Sequence, residues 1–355
     1  MRDNRVLTVI GNRPQFIKAA AVSGPLRDVA GEVLVHTGQH YDDALSKVFF
    51  DELGLPRPEH RLELGGGSNT AQTSRMLAAL EPLLEQERPA LVLVYGDTNS
   101  TLAGALAAAQ AGIPVAHVEA GMRSYDRATP EELNRVLTDH ASDLLLCSST
   151  APAETLRGEG VGGEIEVVGD VMVDVAQLLA PRAAARTEVL ERFGVTPGEY
   201  VLATAHRAGN VDDYARLEKL VGLLEAVPHP VVLPLHPRTA ARLNGAGRSF
   251  ERVIAAPPLG YLDFTALLHH ARVVLTDSGG VQKEAYLAGV PCITLRAETE
   301  WTETVAAGWN TLVDLDAGAA VAALERRPPA DRPPLYGDGR AGQRVAAALA
   351  RRMGA

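Results

Sequence analysis

Short runs of aliphatic residues recur along this 355-residue chain, separated by longer stretches of helical periodicity. RVLTVI, EVLVH, LVLVY, IPVAHV, DLLLC and IEVV occupy the first half, and YVLATA, PVVLPL, RVIAA, RVVLT and PCITL the second. Strands that alternate with helices form βαβ units, so the chain is confined to α/β folds with largely parallel sheets. Between the two sets lies Val173 to Tyr200, polar and Ala-rich with Pro181 and Pro197, which predicts a connecting helix and linker. The length also favours two domains. The spacing places them at residues 1–178 and 179–335, followed by an amphipathic helix, GQRVAAALARRM, within 336–355.

Charge removes several function classes. A net charge of -10 argues against a nucleic-acid partner, so any anionic ligand must be held by a local cluster. The two cysteines, Cys147 in DLLLCSS and Cys292 in VPCITL, both fall inside strand-like runs. They read as buried free thiols, which suits a reducing cytoplasm. The apolar run VLTVI is shorter than a signal-peptide core and no segment approaches a membrane span, so neither secretion nor a membrane partner is expected.

Ligands of open α/β sheets bind beyond the carboxyl ends of the strands. The polar residues that follow each run are therefore the candidates: GNRPQFIK, GDTNST, EAGMRS, HRAGN and DSGGVQKE. In DSGGVQKEA a strand runs into Ser278, Gly279 and Gly280 and a helix then begins, a setting in which backbone N–H groups can hold a phosphate. Glu284 lies one turn into that helix, placed either for ribose hydroxyls or for the helix dipole. In GNRPQFIKAA, GxGxxG is absent and Pro14 suits a first helical turn. Arg13 and Lys18 then place two cations at a helix N-terminus, which a bound diphosphate would explain and two solvated charges would explain less well.

Three carboxylates belong to the first half. Asp97 and Glu119 end strands, and Glu131 opens the helix of TPEELNR, where Thr129 reads as N-cap, Pro130 as the first helical residue and Glu132 as the capping-box partner. An ion pair from Glu131 to Arg135 is the structural alternative. No His or Cys joins the three at metal-ligand spacing, so acid/base chemistry is favoured over a metal. His206 in HRAGN and His236 in HPR follow strands of the second half.

Together these stretches resemble the non-hydrolysing UDP-N-acetylglucosamine 2-epimerase family over nearly the whole chain. The matching blocks are RPQFIK, HTGQHYD, VYGDTNSTLAG, HVEAGMRS, PEELNRVLTDH, HRAGN, PLGYLDF, LTDSGGVQKEA and YGDG. The resemblance implies two Rossmann-like, doubly wound domains of the GT-B type with a UDP-sugar in an interdomain cleft, a final helix returning to the first domain, and a homodimer. By motif, Arg13, Lys18, Phe264, Ser278, Gly279, Gly280 and Glu284 would bind the nucleotide, while Asp97, Glu119, Glu131 and His206 would carry catalysis. It also implies a regulatory nucleotide-sugar site, which Gln39, His40, Gln72, Arg207 and His236 match in part, Ala71 standing where Arg is frequent. The implied reaction converts UDP-GlcNAc to UDP-ManNAc by expelling UDP from C1 as a proton leaves C2, then returning both.

No cofactor is expected on this route. Epimerases that oxidise the sugar carry GxGxxG and Tyr-x-x-x-Lys, and none of the eight tyrosines has Lys four residues later. The chain departs from the family at Gln15, where Glu is usual, at Gly209, and at Trp301 in TEWTE, where a nucleotide-contacting Arg is common. Trp301 could stack on a ring or fill core. RPQFIK, VQKE and TEW also resemble the branch acting on UDP-2,3-diacetamido-glucuronate, which is the alternative substrate. A GT-B glycosyltransferase is the alternative of another class, although it would leave the three carboxylates unexplained.

Overall fold

The computed structural model describes residues 3–39, 50 and 52–354. The chain divides into two compact units, Met1–Leu178 together with Tyr336–Ala355, and Leu179–Leu335. The helix that carries the chain from one to the other covers Val171–Ala184 and contains Pro181.

The first unit is a seven-stranded sheet in the order β3-β2-β1-β4-β5-β6-β7. Its strands are β1 (Asp3–Ile10), β2 (Gly31–His36), β3 (His60–Arg61), β4 (Pro89–Tyr95), β5 (Val115–Val118), β6 (Leu144–Cys147) and β7 (Glu164–Val167), and every pairing is parallel. Val6, Leu7, Val9, Leu91, Val92, Leu93 and Val94 are all buried, as expected of central strands covered on both faces. The helices are α1 (Arg13–Arg27), α2 (Asn69–Glu87), α3 (Asn99–Gln110), α4 (Pro130–Ala141), α5 (Thr150–Glu159) and α6 (Val171–Ala184), the last crossing into the second unit.

The second unit is a six-stranded parallel sheet in the order β10-β9-β8-β11-β12-β13. It comprises β8 (Val201–Thr204), β9 (Val231–Pro234), β10 (Val253–Ala256), β11 (Val273–Thr276), β12 (Cys292–Thr294) and β13 (Asn310–Leu312). Its helices are α7 (Glu188–Phe193), α8 (Ala208–Val211), α9 (Tyr214–Ala226), α10 (Pro237–Gly245), α11 (Tyr261–His270), α12 (Gly279–Ala288), α13 (Thr302–Ala306) and α14 (Ala317–Leu324). Both sheets are thus Rossmann-like. Strand order reverses at β1/β4 in one and at β8/β11 in the other, which are the switch points where such sheets bind ligands.

The final helix, α15 (Ala341–Met353), lies on α1 in the first unit and buries Val345 and Leu349. Burial of this kind contributes about 1.5–3 kcal/mol per aliphatic side chain. A Cβ at Gly342 would come within 2.0 Å of the Ala21 carbonyl oxygen, so only glycine permits this approach. Asp174 on α6 caps the start of α15, accepting from the N–H groups of Ala341 at 3.1 Å and Gly342 at 2.8 Å. Cys147 and Cys292 are buried free thiols, and burial pushes both up to about 12. No helix among the described residues is long and apolar enough to cross a membrane.

Candidate active site

At the β1/β4 switch point of the first unit lies a cavity of about 320 Å³, lined among others by Lys18, Gln39, Asp97, Asn99, Glu131 and Asn134. Four helices start at its wall: α1 with Asn12 and Pro14, α2 with Asn69, α3 with Thr98 and Asn99, and α4 with Pro130 and Glu131. Their N-terminal N–H groups and dipoles make this a setting for anionic groups.

Gln15 fastens the two switch-point loops. It is buried, accepts from the Gly11 N–H at 2.8 Å, and donates to the Tyr95 carbonyl at 3.0 Å and the Thr101 hydroxyl at 2.9 Å. A carboxylate there would lack both donors, which accounts for an amide at this position.

Lys18 is not a solvated surface charge. Its ammonium binds the Glu119 carboxylate at the end of β5, and Asp97 lies near enough to add to the attraction. Burial would lower this ammonium, but Glu119 and then Asp97 outweigh it and hold it above the ordinary lysine value. Glu119 itself adopts φ +69°, left-handed backbone that a non-glycine residue enters only when its surroundings impose it.

Asp97 is held by Arg135 from α4, and Asn134 donates to its backbone carbonyl at 3.0 Å. Arg135 also reaches Glu132 at 3.0 Å, so the Glu131–Arg135 pair, the structural alternative for Glu131, is not the one that forms. Glu131 is exposed at the cavity. The capping-box expectation also needs correction. Thr129 is the N-cap without a side-chain cap bond, and its hydroxyl donates instead to the Asp126 carbonyl. Glu132 accepts from the N–H and hydroxyl of Ser124 and from the N–H of Tyr125, each at 2.9 Å. Burial opposes its ionisation, yet these bonds and Arg135 keep its carboxyl below the usual range. Among the described residues no group of three His, Cys, Asp or Glu side chains could hold a metal ion.

At the β8/β11 switch point, Asp277 is fully buried and accepts from the N–H groups of His206 at 3.1 Å and Arg207 at 3.0 Å and from the Asn210 amide at 3.1 Å. It shapes the turn that presents His206, whose ring stacks on His236 with centroids 5.2 Å apart. Ser278 caps α12 by position, and its N–H is taken by the Thr276 hydroxyl at 2.9 Å. Gly279 and Gly280 open the helix. A Cβ on Gly279 would meet the Glu300 carboxylate at 2.2 Å, whereas one on Gly280 would meet, outside its own stretch of helix, only the Ser278 hydroxyl at 3.9 Å. Glu284 accepts from the Tyr261 hydroxyl at 3.1 Å, and Phe264 packs against the unit's core. Trp301 is neither core nor a free ring: its Nε1 donates to the Gly279 carbonyl at 2.8 Å and the Lys283 ammonium sits 4.5 Å over it.

The structure therefore gathers Lys18, Asp97, Glu119 and Glu131 in the first unit, with Arg13 opening α1 beside them, and His206, Ser278, Gly279, Gly280 and Glu284 in the second. Of the residues matched to a regulatory site, Gln39 accepts from the Ser100 hydroxyl at 2.7 Å and Gln72 from the Asn99 amide at 3.0 Å, both beside the first cavity. Arg207 and His236 belong to the second unit, and His40 lies outside the described residues. Gln15, Asp277 and the buried pair His117–Asp139 were not visible as site residues in the sequence. The only hint was that Gln15, His117 and Asp277 adjoin or interrupt apolar runs; Asp139 gave none.

The family model described as UDP-N-acetylglucosamine 2-epimerase matches residues 27–350. The chain belongs to this family. It is 45% identical to the UDP-2,3-diacetamido-2,3-dideoxy-D-glucuronate 2-epimerase of Pseudomonas aeruginosa, over 98% of this chain and 99% of that one. It is 40% identical to the UDP-N-acetylglucosamine 2-epimerase of Methanocaldococcus jannaschii, over 95% and 96%. The crystal structure of the M. jannaschii UDP-GlcNAc 2-epimerase in complex with UDP-GlcNAc and UDP superimposes with a TM-score of 0.87 at 38% identity, covering 98% of this chain and 99% of that one. As a 2-epimerase by family, the chain is an isomerase.

Proposed function

We propose that this protein inverts C2 of a UDP-linked 2-acetamido sugar by eliminating and readding UDP, converting UDP-GlcNAc to UDP-ManNAc. The observation that carries this reading is the grouping of Lys18, Asp97, Glu119 and Glu131 at the β1/β4 switch point. The proton at C2 is not acidic, so its removal must be coupled to departure of the C1 substituent. The C2–H electron pair becomes the C1=C2 double bond as the C1–O bond breaks, and the released pair stays on the β-phosphate of UDP. Return of a proton to the opposite face of C2, with attack of that phosphate oxygen on C1, completes the inversion.

The residues divide this work by chemistry. Glu119, tied to the Lys18 ammonium, is suited to accept the C2 proton, and Glu131, exposed at the cavity, to exchange a proton for the return step. Asp97 shares Arg135 and shapes the charge between them. The N–H groups at the start of α12, with Arg13 and His206, would stabilise the charge on departing UDP, Glu284 would accept ribose hydroxyls, and Phe264 would contact the nucleotide. Gln39, Gln72, Arg207 and His236, with His40, are read as a regulatory site for the same ligand class. The buried free thiols support a reducing cytoplasm, and the family resemblance supports a homodimer, which sedimentation would test.

A second substrate is favoured by one finding, the 45% identity to the P. aeruginosa enzyme over nearly the full length of both chains. Both questions yield to one experiment. Incubation in D2O with UDP-GlcNAc, or with the UDP-2,3-diacetamido-glucuronate, is expected to place deuterium at C2 of both epimers of the preferred substrate. Sugar transfer to an acceptor without exchange at C2 would refute the proposal.

A further inference from the structure

His117 lies on β5 with no exposed surface and takes no part in the chemistry above. Its Nε2 is 2.7 Å from the carbonyl oxygen of Gly96, at the end of β4, and its Nδ1 is 2.7 Å from a carboxylate oxygen of Asp139 on α4. A carbonyl can only accept, so Nε2 carries a proton. Asp139 accepts elsewhere too, from the Gly121 N–H at 3.1 Å and from Arg123 at 2.7 Å. Burial opposes its ionisation, but His117 and Arg123 hold its carboxyl below the ordinary range. Nδ1 thus faces a carboxylate oxygen as Nε2 faces a carbonyl, and the ring bridges the two. Arg123 closes the group by pairing with Glu159 at 2.7 Å.

What this buried group grips is the backbone around Glu119. His117 stands two residues before it, Gly121 two residues after, and Gly96 beside it, the Gly96 N–H donating to the Val118 carbonyl at 3.1 Å. Glu119 holds φ +69° between these anchors, and a Cβ on Gly96 would be 3.5 Å from its carboxylate and 3.1 Å from the Lys18 ammonium. A left-handed glutamate costs free energy unless its neighbours over-determine it. We propose that His117, bridging the Gly96 carbonyl and the Asp139 carboxylate through its two ring nitrogens, is a positioning residue that sets the backbone of Glu119 and so the place of its carboxylate beside Lys18. The inference rests on Glu119 acting at C2 as proposed above.

The test uses the full chain with His117→Gln and His117→Phe, neither of which places a nitrogen at both contacts as the ring does. Folded variants are expected to lose about 10²-fold in kcat for C2 exchange, because a misplacement near 1 Å has that effect, while KM for the UDP-sugar moves by less than about threefold. Wild-type kcat in a folded variant would overturn the proposal. So would a crystal structure of either variant in which Glu119 keeps its left-handed backbone and its bond to Lys18. A readout independent of activity is the ring itself: ¹⁵N NMR of the unsubstituted protein should show Nε2 of His117 protonated and bonded to Gly96, and a ring protonated at Nδ1 alone would overturn the clamp even if neither variant folds. Failure of the unsubstituted enzyme to exchange C2 of either sugar would instead refute the proposed reaction, and the ring measurement and variant structures would still decide the clamp.

Discussion

The ammonium of Lys18, one turn into α1, is bound by the carboxylate of Glu119, 101 residues further along the chain. Neither residue could be placed there by its own element. Lys18 is delivered by a helix that Asn12 caps and Gln15 ties to β4, and Glu119 by a left-handed turn after β5. The pair thus reports the spacing of β1, β4 and β5 in a single contact, and any variant that disturbs one of the three loops should be felt at the other two.

The first prediction concerns alkaline stability. Lys18 is raised above its ordinary value of 10.5, so the folded protein binds its proton more tightly than the unfolded chain does. Stability from this group is fully present below the unfolded value and is lost as pH climbs through the higher folded one. Lys18→Met should therefore be less stable near neutrality and show a flatter decline beyond pH 10.5 when urea midpoints are followed with pH. Activity should fall by at least about 10²-fold, since Glu119 loses the cation that holds it. A variant with an unchanged alkaline limb would show that the ion pair does not persist in solution.

Gly96→Ala isolates backbone from chemistry. Gly96 has φ +64°, and the added methyl would sit 3.1 Å from the Lys18 ammonium. The left-handed conformation alone should lower stability by about 1–2 kcal/mol. If the site is built as described, C2 exchange should fall far more than this loss of stability implies. Equal activity per folded molecule would mean that Lys18 and Glu119 tolerate displacement.

Asp139→Asn should be among the more damaging single changes in the first unit. It takes from His117 and Arg123 the buried carboxylate they share, leaving Arg123 with Glu159 alone, and breaking a buried pair in this way costs about 3–5 kcal/mol. Because the folded carboxyl is depressed, its contribution is present above the ordinary value of 3.8 and disappears as pH falls through the folded one. The deficit of the variant in urea unfolding should thus be full at pH 7 and shrink on acidification. A deficit independent of pH would point to packing alone.

How much of this was legible depended on whether a signal was local. Apolar runs marked the central strands because parallel strands buried on both faces have no polar alternation. β3 and β13 left no such run, being two and three residues long at sheet edges. Asp97 and Glu119 stood out as carboxylates directly after strands. His117 and Asp139 did not, since one hides inside IPVAHV and the other in the last turn of a helix, and their contact exists only once β5 and α4 have packed. Arg135 illustrates the same limit: helical spacing offered Glu131 as its partner, and tertiary structure supplied Asp97 and Glu132 instead.

The phosphate site can be tested with Gly280→Ala. Beyond its own stretch of helix, nothing comes closer than the Ser278 hydroxyl at 3.9 Å to where the new methyl would go, and Gly280 is not in a left-handed conformation, so the fold should be indifferent to the change. Alanine is in fact the better helix former by about 1 kcal/mol, which predicts equal or slightly higher thermal stability. A phosphate drawn to the N–H groups at the start of α12 would meet that methyl directly. UDP affinity, read by calorimetry, should therefore weaken by at least about tenfold, equivalent to 1.4 kcal/mol. Unchanged affinity in a normally folded variant would place the diphosphate elsewhere and remove Ser278, Gly279 and Gly280 from the binding site.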